Sequence, residues 1–147
     1  MKLSTKGRYG LKAMFQLALH YGEGPIPLKN VADEQNISEN YLEQLVAVLK
    51  KNGLLESVRG AQGGYLLAKS PDEITVGNIL RVLEGDMAPA DCVLDNEMFK
   101  CEKAEYCVTK LVWTRIRDSI DDVVDSITLQ DMVDEHNTIM ANKKLEV

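Results

Sequence analysis

The chain contains no apolar run approaching the roughly 18 residues that a membrane-spanning helix requires. Aromatic residues are only 5% of it, with one Trp and two Phe, so a core has to be built mainly from aliphatic side chains. Histidine is scarcer still, at His20 and His136 alone, and no Cys-His or Ser-His-Asp pattern suggests nucleophilic catalysis; the chain does not read as an enzyme. The opening Met1-Lys2-Leu3-Ser4-Thr5-Lys6 leads into mixed polar sequence, without the apolar segment of about 7–15 residues that marks a secretory signal. Cysteine is missing from the first 91 positions. Its three copies, Cys92, Cys101 and Cys107, then fall within one acidic stretch. The expectation is a cytoplasmic protein, away from membranes, in which clustered thiols bind metal or react rather than form structural disulfides.

What is present suits one domain with an appended dimerisation element. The 147 residues are 45% hydrophobic, with a mean hydropathy of −0.18. The net charge of −6 is unevenly placed: residues 1–70 hold nine Lys/Arg against six Asp/Glu, and residues 71–147 hold eight against 17. A basic first half can meet a phosphate backbone while the acidic half faces away.

Ser4 or Thr5 caps a first helix to about Tyr21, with Leu11, Met14, Phe15, Ala18 and Tyr21 on one face. Gly22-Glu23-Gly24-Pro25 ends it. Leu28 to Gln35 reads as a short helix and Asn36-Ile37 as a tight turn, after which Ser38 caps a third helix to Asn52. This is helix-turn-helix spacing. Leu42, Leu45, Val48 and Leu49 are expected inward on the third helix, leaving Asn40, Glu43, Gln44, Ala47 and Lys51 opposite. Gln can bond adenine and Glu can accept from cytosine in a major groove, although a solvated helix face is the plainer reading of the same pattern. Two short strands follow, Leu54 to Val58 and Tyr65 to Ala68, around the glycine-rich Arg59-Gly60-Ala61-Gln62-Gly63-Gly64. A two-stranded wing after a helix-turn-helix is the winged-helix arrangement, and Arg59 at its tip suits a narrow minor groove; an ordinary hairpin is the alternative.

Thr75 caps a fourth helix to about Glu84, and residues from Gly85 to Tyr106 are irregular and hold the thiols. Val108, Leu111, Val112, Ile116, Ile120, Val123, Val124 and Ile127 then keep one apolar face over about five turns, a pattern suited to packing on a second copy of the chain. Thr128 caps a last short helix to about His136. The expected fold is mainly α with a small two-stranded wing. Residues 1–84 form the winged helix-turn-helix, 85–107 a cysteine-bearing sensor loop, 108–135 the dimerisation helix with a short helix after it, and 136–147 a mobile tail. Trp113 reads as core, His20 as a helix-end residue and His136 as incidental.

The segments Lys2-Leu3-Ser4-Thr5-Lys6-Gly7-Arg8-Tyr9-Gly10, Ile37-Ser38-Glu39-Asn40-Tyr41-Leu42-Glu43-Gln44-Leu45, Lys51-Asn52-Gly53-Leu54 and Val58-Arg59-Gly60-Ala61-Gln62-Gly63-Gly64-Tyr65 resemble the Rrf family of bacterial winged-helix transcriptional regulators over residues 1 to 135. The likeness is greatest to its cluster-bearing, IscR-like members. It implies a homodimeric repressor of transcription that binds a near-palindromic double-stranded DNA operator. Ser38, Asn40, Tyr41, Glu43, Gln44, Lys51 and Arg59 are then at or near DNA.

The resemblance also implies that Cys92, Cys101 and Cys107 hold an iron–sulfur cluster, two-iron rather than four-iron, through which the protein senses cluster or redox status. Members of that type usually have five residues between successive cysteines, whereas eight separate Cys92 from Cys101 here. Their fourth ligands are not matched either: Lys110 stands where one type has a histidine, and Arg8 where another has an acid. Asp91, Asp95, Glu97, Glu102 and Glu105 are nearby carboxylates that suit the place, and a small thiol or water there, leaving the position exchangeable, is the alternative. Zinc and a thiol-only redox switch remain open readings of the same residues. So does a CymR-like regulator of sulfur metabolism, without a cluster and controlled by thiol oxidation or by a partner enzyme of cysteine metabolism.

Overall fold

The computed structural model describes residues 2–94 and 100–145. Its elements, in order, are α1 (Thr5–Leu19), α2 (Leu28–Gln35), α3 (Glu39–Lys51), β1 (Leu55–Val58), β2 (Gly64–Leu67), α4 (Val76–Glu84), α5 (Val108–Ser126) and α6 (Leu129–Leu145). The class is the expected one, mainly helical with a two-stranded antiparallel wing.

Local signals set most helix starts. The Ser4 hydroxyl accepts from Lys6 N at the head of α1, and the Ser38 hydroxyl accepts from Tyr41 N at the head of α3. Thr75 and Asn78 cap α4 reciprocally, at 2.9 and 3.0 Å, as Thr128 and Asp131 cap α6. Asn36, at φ 54°, makes the left-handed turn between α2 and α3. In the wing Leu55 pairs with Leu67 and Val58 with Gly64. Ile26 adds a short bridge to Tyr65, with N···O distances of 2.9 and 2.8 Å.

The core of the head is aliphatic, as the shortage of aromatics requires. Met14 and Leu17 of α1, Val31 of α2, and Leu42, Leu45, Val46 and Leu49 of α3 pack with Ile74, Ile79 and Leu129. Two helices differ from expectation in which residues they bury. α1 stops at Leu19, so Tyr21 lies beyond it and is exposed; the face it buries holds Gly7, Gly10, Ala13, Met14, Gln16, Leu17 and Ala18. The two glycines let α4 come close: a Cβ at Gly7 would meet the Glu84 carboxylate, and one at Gly10 a Leu83 methyl. On α3 it is Val46, not Val48, that faces inward; Val48 is 41% exposed. Leu42, Leu45, Val46 and Leu49 fall at i, i+3, i+4 and i+7, the set one helical face takes.

α5 behaves differently from the rest: none of its residues is buried. Val108, Leu111, Val112, Trp113 and Val123 are exposed, so Trp113 is not a core residue. α6 runs on to Leu145, well past His136. It returns to the head, where Leu129 is fully buried and His136 meets the Phe15 ring edge-on at 5.4 Å. None of the described helices is long and apolar enough to cross a membrane.

Candidate nucleic-acid interface and thiol loop

The exposed side of α3 carries Asn40, Glu43, Gln44 and Lys51, with Ser38 at its N-cap. Among the described residues the side chains of Asn40, Glu43, Gln44, Lys51 and Arg59 have no hydrogen bond or ion pair, so their polar groups are uncommitted. Tyr41 differs from them. It is half-buried, its hydroxyl lies 3.0 Å from Thr5 Oγ1, and its ring meets Tyr9 edge-on at 6.0 Å. It braces the front of α3 against α1. Arg8 and Lys12 flank the other member of that pair, at 5.9 and 5.7 Å from the Tyr9 ring centre. The back of α3 is tied to the wing by Lys50 Nζ, which donates to Ser57 Oγ at 2.6 Å.

Arg59 stands exposed where β1 leaves the sheet. Two glycines hold the loop there. Gly60 sits at φ 111°, and a Cβ at Gly63 would strike the Val58 carbonyl. One potential anion site is already filled from within. At the N-terminus of α1 the Glu84 carboxylate accepts from Ser4 N at 2.9 Å, Ser4 Oγ at 2.6 Å and Gly7 N at 3.0 Å. The Ser4 hydroxyl, then the two backbone N–H groups and the Lys6 charge, hold Glu84 below the usual carboxylate range against the cost of burial. Sequence reading missed this joint; the only signal for it was the Gly7/Gly10 spacing.

The thiols lie at separate places. Cys92 is half-buried in a 3-10 turn, Asp91–Val93, whose Val93 carbonyl accepts from Arg117 Nη1 at 2.9 Å. Cys101 is exposed. Cys107 is the N-cap residue of α5, with its sulfur 3.1 Å from Thr109 Oγ1. That hydroxyl, then the backbone N–H groups of Lys110 and Thr109 and the Lys110 charge, hold the Cys107 thiol below its ordinary value. Arg117 is ten residues beyond Cys107, about 15 Å along the helix axis, so the Asp91–Val93 turn and the Cys107 cap meet α5 at different levels.

Three thiols are the right donors for an iron–sulfur cluster in kind. Among the described residues, however, no three His, Cys, Asp or Glu side chains come together as metal ligands. Asp91, Glu102 and Glu105 are exposed, and Asp95 and Glu97 lie outside the described residues.

A three-helix head with a recognition-type helix, uncommitted polar side chains along it and an arginine-tipped wing defines a winged-helix DNA-binding protein. The model of the Rrf2 family, described as iron-dependent transcriptional regulators, matches residues 3–135, and the chain belongs to that family. The chain is 51% identical to the HTH-type transcriptional regulator CymR of Bacillus subtilis over 132 residues, 90% of this chain and 89% of that one. It is 40% identical to IscR of Pectobacterium carotovorum over 139 residues, 95% of this chain and 83% of the other. Among solved structures, B. subtilis CymR, described as the global cysteine regulator, superposes with a TM-score of 0.76 at 50% identity, covering 92% of this chain and 98% of that one. T. potens IscR does so with a TM-score of 0.76 at 52% identity, covering 92% and 88%. The protein is therefore a transcriptional regulator, and its relatives are regulators rather than enzymes.

Proposed function

We propose that the protein is a cytoplasmic homodimer that represses transcription by binding a near-palindromic operator, and that Cys92, Cys101 and Cys107 make it responsive to iron–sulfur or redox status. The observation that carries the DNA half is the row of uncommitted side chains from Asn40 to Lys51, continued at Arg59. In this reading Glu43 and Gln44 read base edges, Ser38, Asn40 and Tyr41 set the register of α3, Lys51 meets phosphate, and Arg59 enters the minor groove. Two copies join along α5, whose exposed groove is lined by Val112, Ile116, Ile120, Val123 and Val124.

Cys92, Cys101 and Cys107 would hold a cluster, two-iron in our reading, with the fourth position open to a nearby carboxylate, a small thiol or water. When bound, such a cluster supplies redox-sensitive iron–thiolate bonds. The chain's own part is mechanical. The sensor loop is fastened to α5 at two points, by Val93 to Arg117 and by Cys107 at the helix cap. A change at either fastening bears on the helix that joins the two reading heads.

The second reading is CymR-like: no cluster, with control by thiol oxidation or by a cysteine-metabolism enzyme. It is favoured by the 51% identity to B. subtilis CymR, and by the described residues bringing no three His, Cys, Asp or Glu side chains together. A visible spectrum with iron and acid-labile sulfide assays, on protein purified without oxygen, separates the two. Absorbance at roughly 320–460 nm with bound iron is the result expected of thiolate-held clusters. Colourless, iron-free protein that binds DNA establishes the second reading.

A further inference from the structure

α4 and α5 meet along two matched stripes. On α4 the stripe is Gly77 and Arg81, one turn apart; on α5 it is Asp121 and Asp125, also one turn apart. The Arg81 guanidinium grips Asp125 with both nitrogens, Nη1 to Oδ1 at 2.6 Å and Nη2 to Oδ2 at 2.9 Å, and reaches Asp121 Oδ1 at 2.9 Å. Gly77 is what lets the stripes close, because a Cβ there would meet the Asp125 carboxylate. One turn away the same junction is pinned through the backbone. Val76 N donates to Ile127 O at 2.8 Å, and Leu129 N donates to Ile74 O at 2.9 Å.

Exposure decides what this arrangement is for. The side chains of Arg81, Asp121 and Asp125 are 38%, 37% and 47% exposed, and ion pairs as wet as these add little to stability. A fork on a carboxylate, by contrast, fixes direction, which a point charge does not. Arg81, by bonding first of all, holds Asp125 below the usual carboxylate range, so the pair stays charged at neutral pH. α4 belongs to the packed head, through Ile79 and Leu83, while α5 buries nothing of its own. The joint between them therefore sets the angle at which a reading head leaves α5.

We infer that Arg81, gripping Asp121 and Asp125, is a positioning residue that fixes the distance between the two half-sites a dimer accepts. The inference rests on the proposed dimer along α5. A tilt at this joint that carries α3 by about 3.4 Å along the duplex is one base pair of spacing.

The test uses duplexes that carry two copies of the half-site wild type selects from a random library, separated by one base pair more or less than its preferred gap. Wild type is expected to favour its own spacing by about tenfold or more. R81M and R81K are expected to narrow that preference to about threefold, with dimer mass and single-half-site binding unchanged. The double variant D121N/D125N loosens the same joint from the α5 side and decides the matter if the Arg81 variants do not fold. A folded, dimeric variant with the wild-type spacing preference overturns the inference, as does wild type that binds DNA dimerically yet tolerates every spacing. Wild type that is monomeric or ignores DNA sinks the dimeric-regulator reading itself, a distinct result.

Discussion

α3 and α5 are both amphipathic helices, and each leaves one side uncovered, but what they leave uncovered is opposite. α3 buries Leu42, Leu45, Val46 and Leu49 within its own chain and leaves mainly polar groups outside. α5 buries none of its residues and leaves Val108, Leu111, Val112 and Val123 outside. An uncommitted polar row suits a polyanion with base edges to read. An uncommitted apolar row suits a surface like itself, because the driving force is removal of apolar area from water. The proposed function gives α3 to operator DNA and α5 to a second copy of the chain, and the contrast supports that reading.

The largest effect should come from breaking the apolar side. Val123 is 57% exposed, so Val123→Asp leaves the single chain folded, with an unchanged far-UV spectrum. It should instead halve the mass by light scattering and lower operator affinity by about a hundredfold, since a monomer engages only one half-site. A dimer that survives this change removes α5 as the interface. Next is the polar side, at Glu43→Ala, which keeps the dimer and should cost about 1–3 kcal/mol of discrimination at one base position. Unaltered operator preference in a base-substitution series would show that Glu43 reads nothing.

Gly7→Ala sharpens the comparison by disturbing the frame that holds α3 while touching neither face. Its methyl group displaces Glu84, so a loss of about 1–3 kcal/mol is expected in denaturant unfolding. A neutral result would mean that the α1–α4 contact relaxes freely. The smallest effect is on pH. Glu84 and Asp125 both have folded-state values below their ordinary ones, so each adds stability that is fully present above the unfolded-state value. That contribution is lost as pH falls through the folded-state value. Glu84→Gln should flatten the fall in melting temperature below about pH 4.5; an acid limb as steep as that of wild type would remove Glu84 as a contributor.

What could be read in advance is confined to short range. Ser38, Thr75 and Thr128 were legible as caps because each bonds within three residues of itself. The α5 face was legible because its period is written in one segment. Glu84 was not, since its partners Ser4 and Gly7 lie at the other end of the head, and neither was Arg81, 44 residues from Asp125. Val46 and Val48 are the same residue type two positions apart. The sequence reading put Val48 inside, whereas strict i, i+3, i+4, i+7 spacing selects Val46. For the thiols, spacing placed all three in one connecting segment. It said nothing of the bond from Arg117, in the middle of α5, to the turn that holds Cys92, or of Cys107 as the α5 cap.

The sequence by itself determined the helices, their caps, the wing and the polar row on α3, because hydrogen bonds between near neighbours and the helical period act before any tertiary contact exists. Only the tertiary structure decided that Gly7 and Gly10 are contact surfaces, that Tyr41 is a brace and that Arg81 meets two carboxylates of α5. Each of these depends on which side chains distant in the chain arrive at the same point, and close packing rather than local preference settles that.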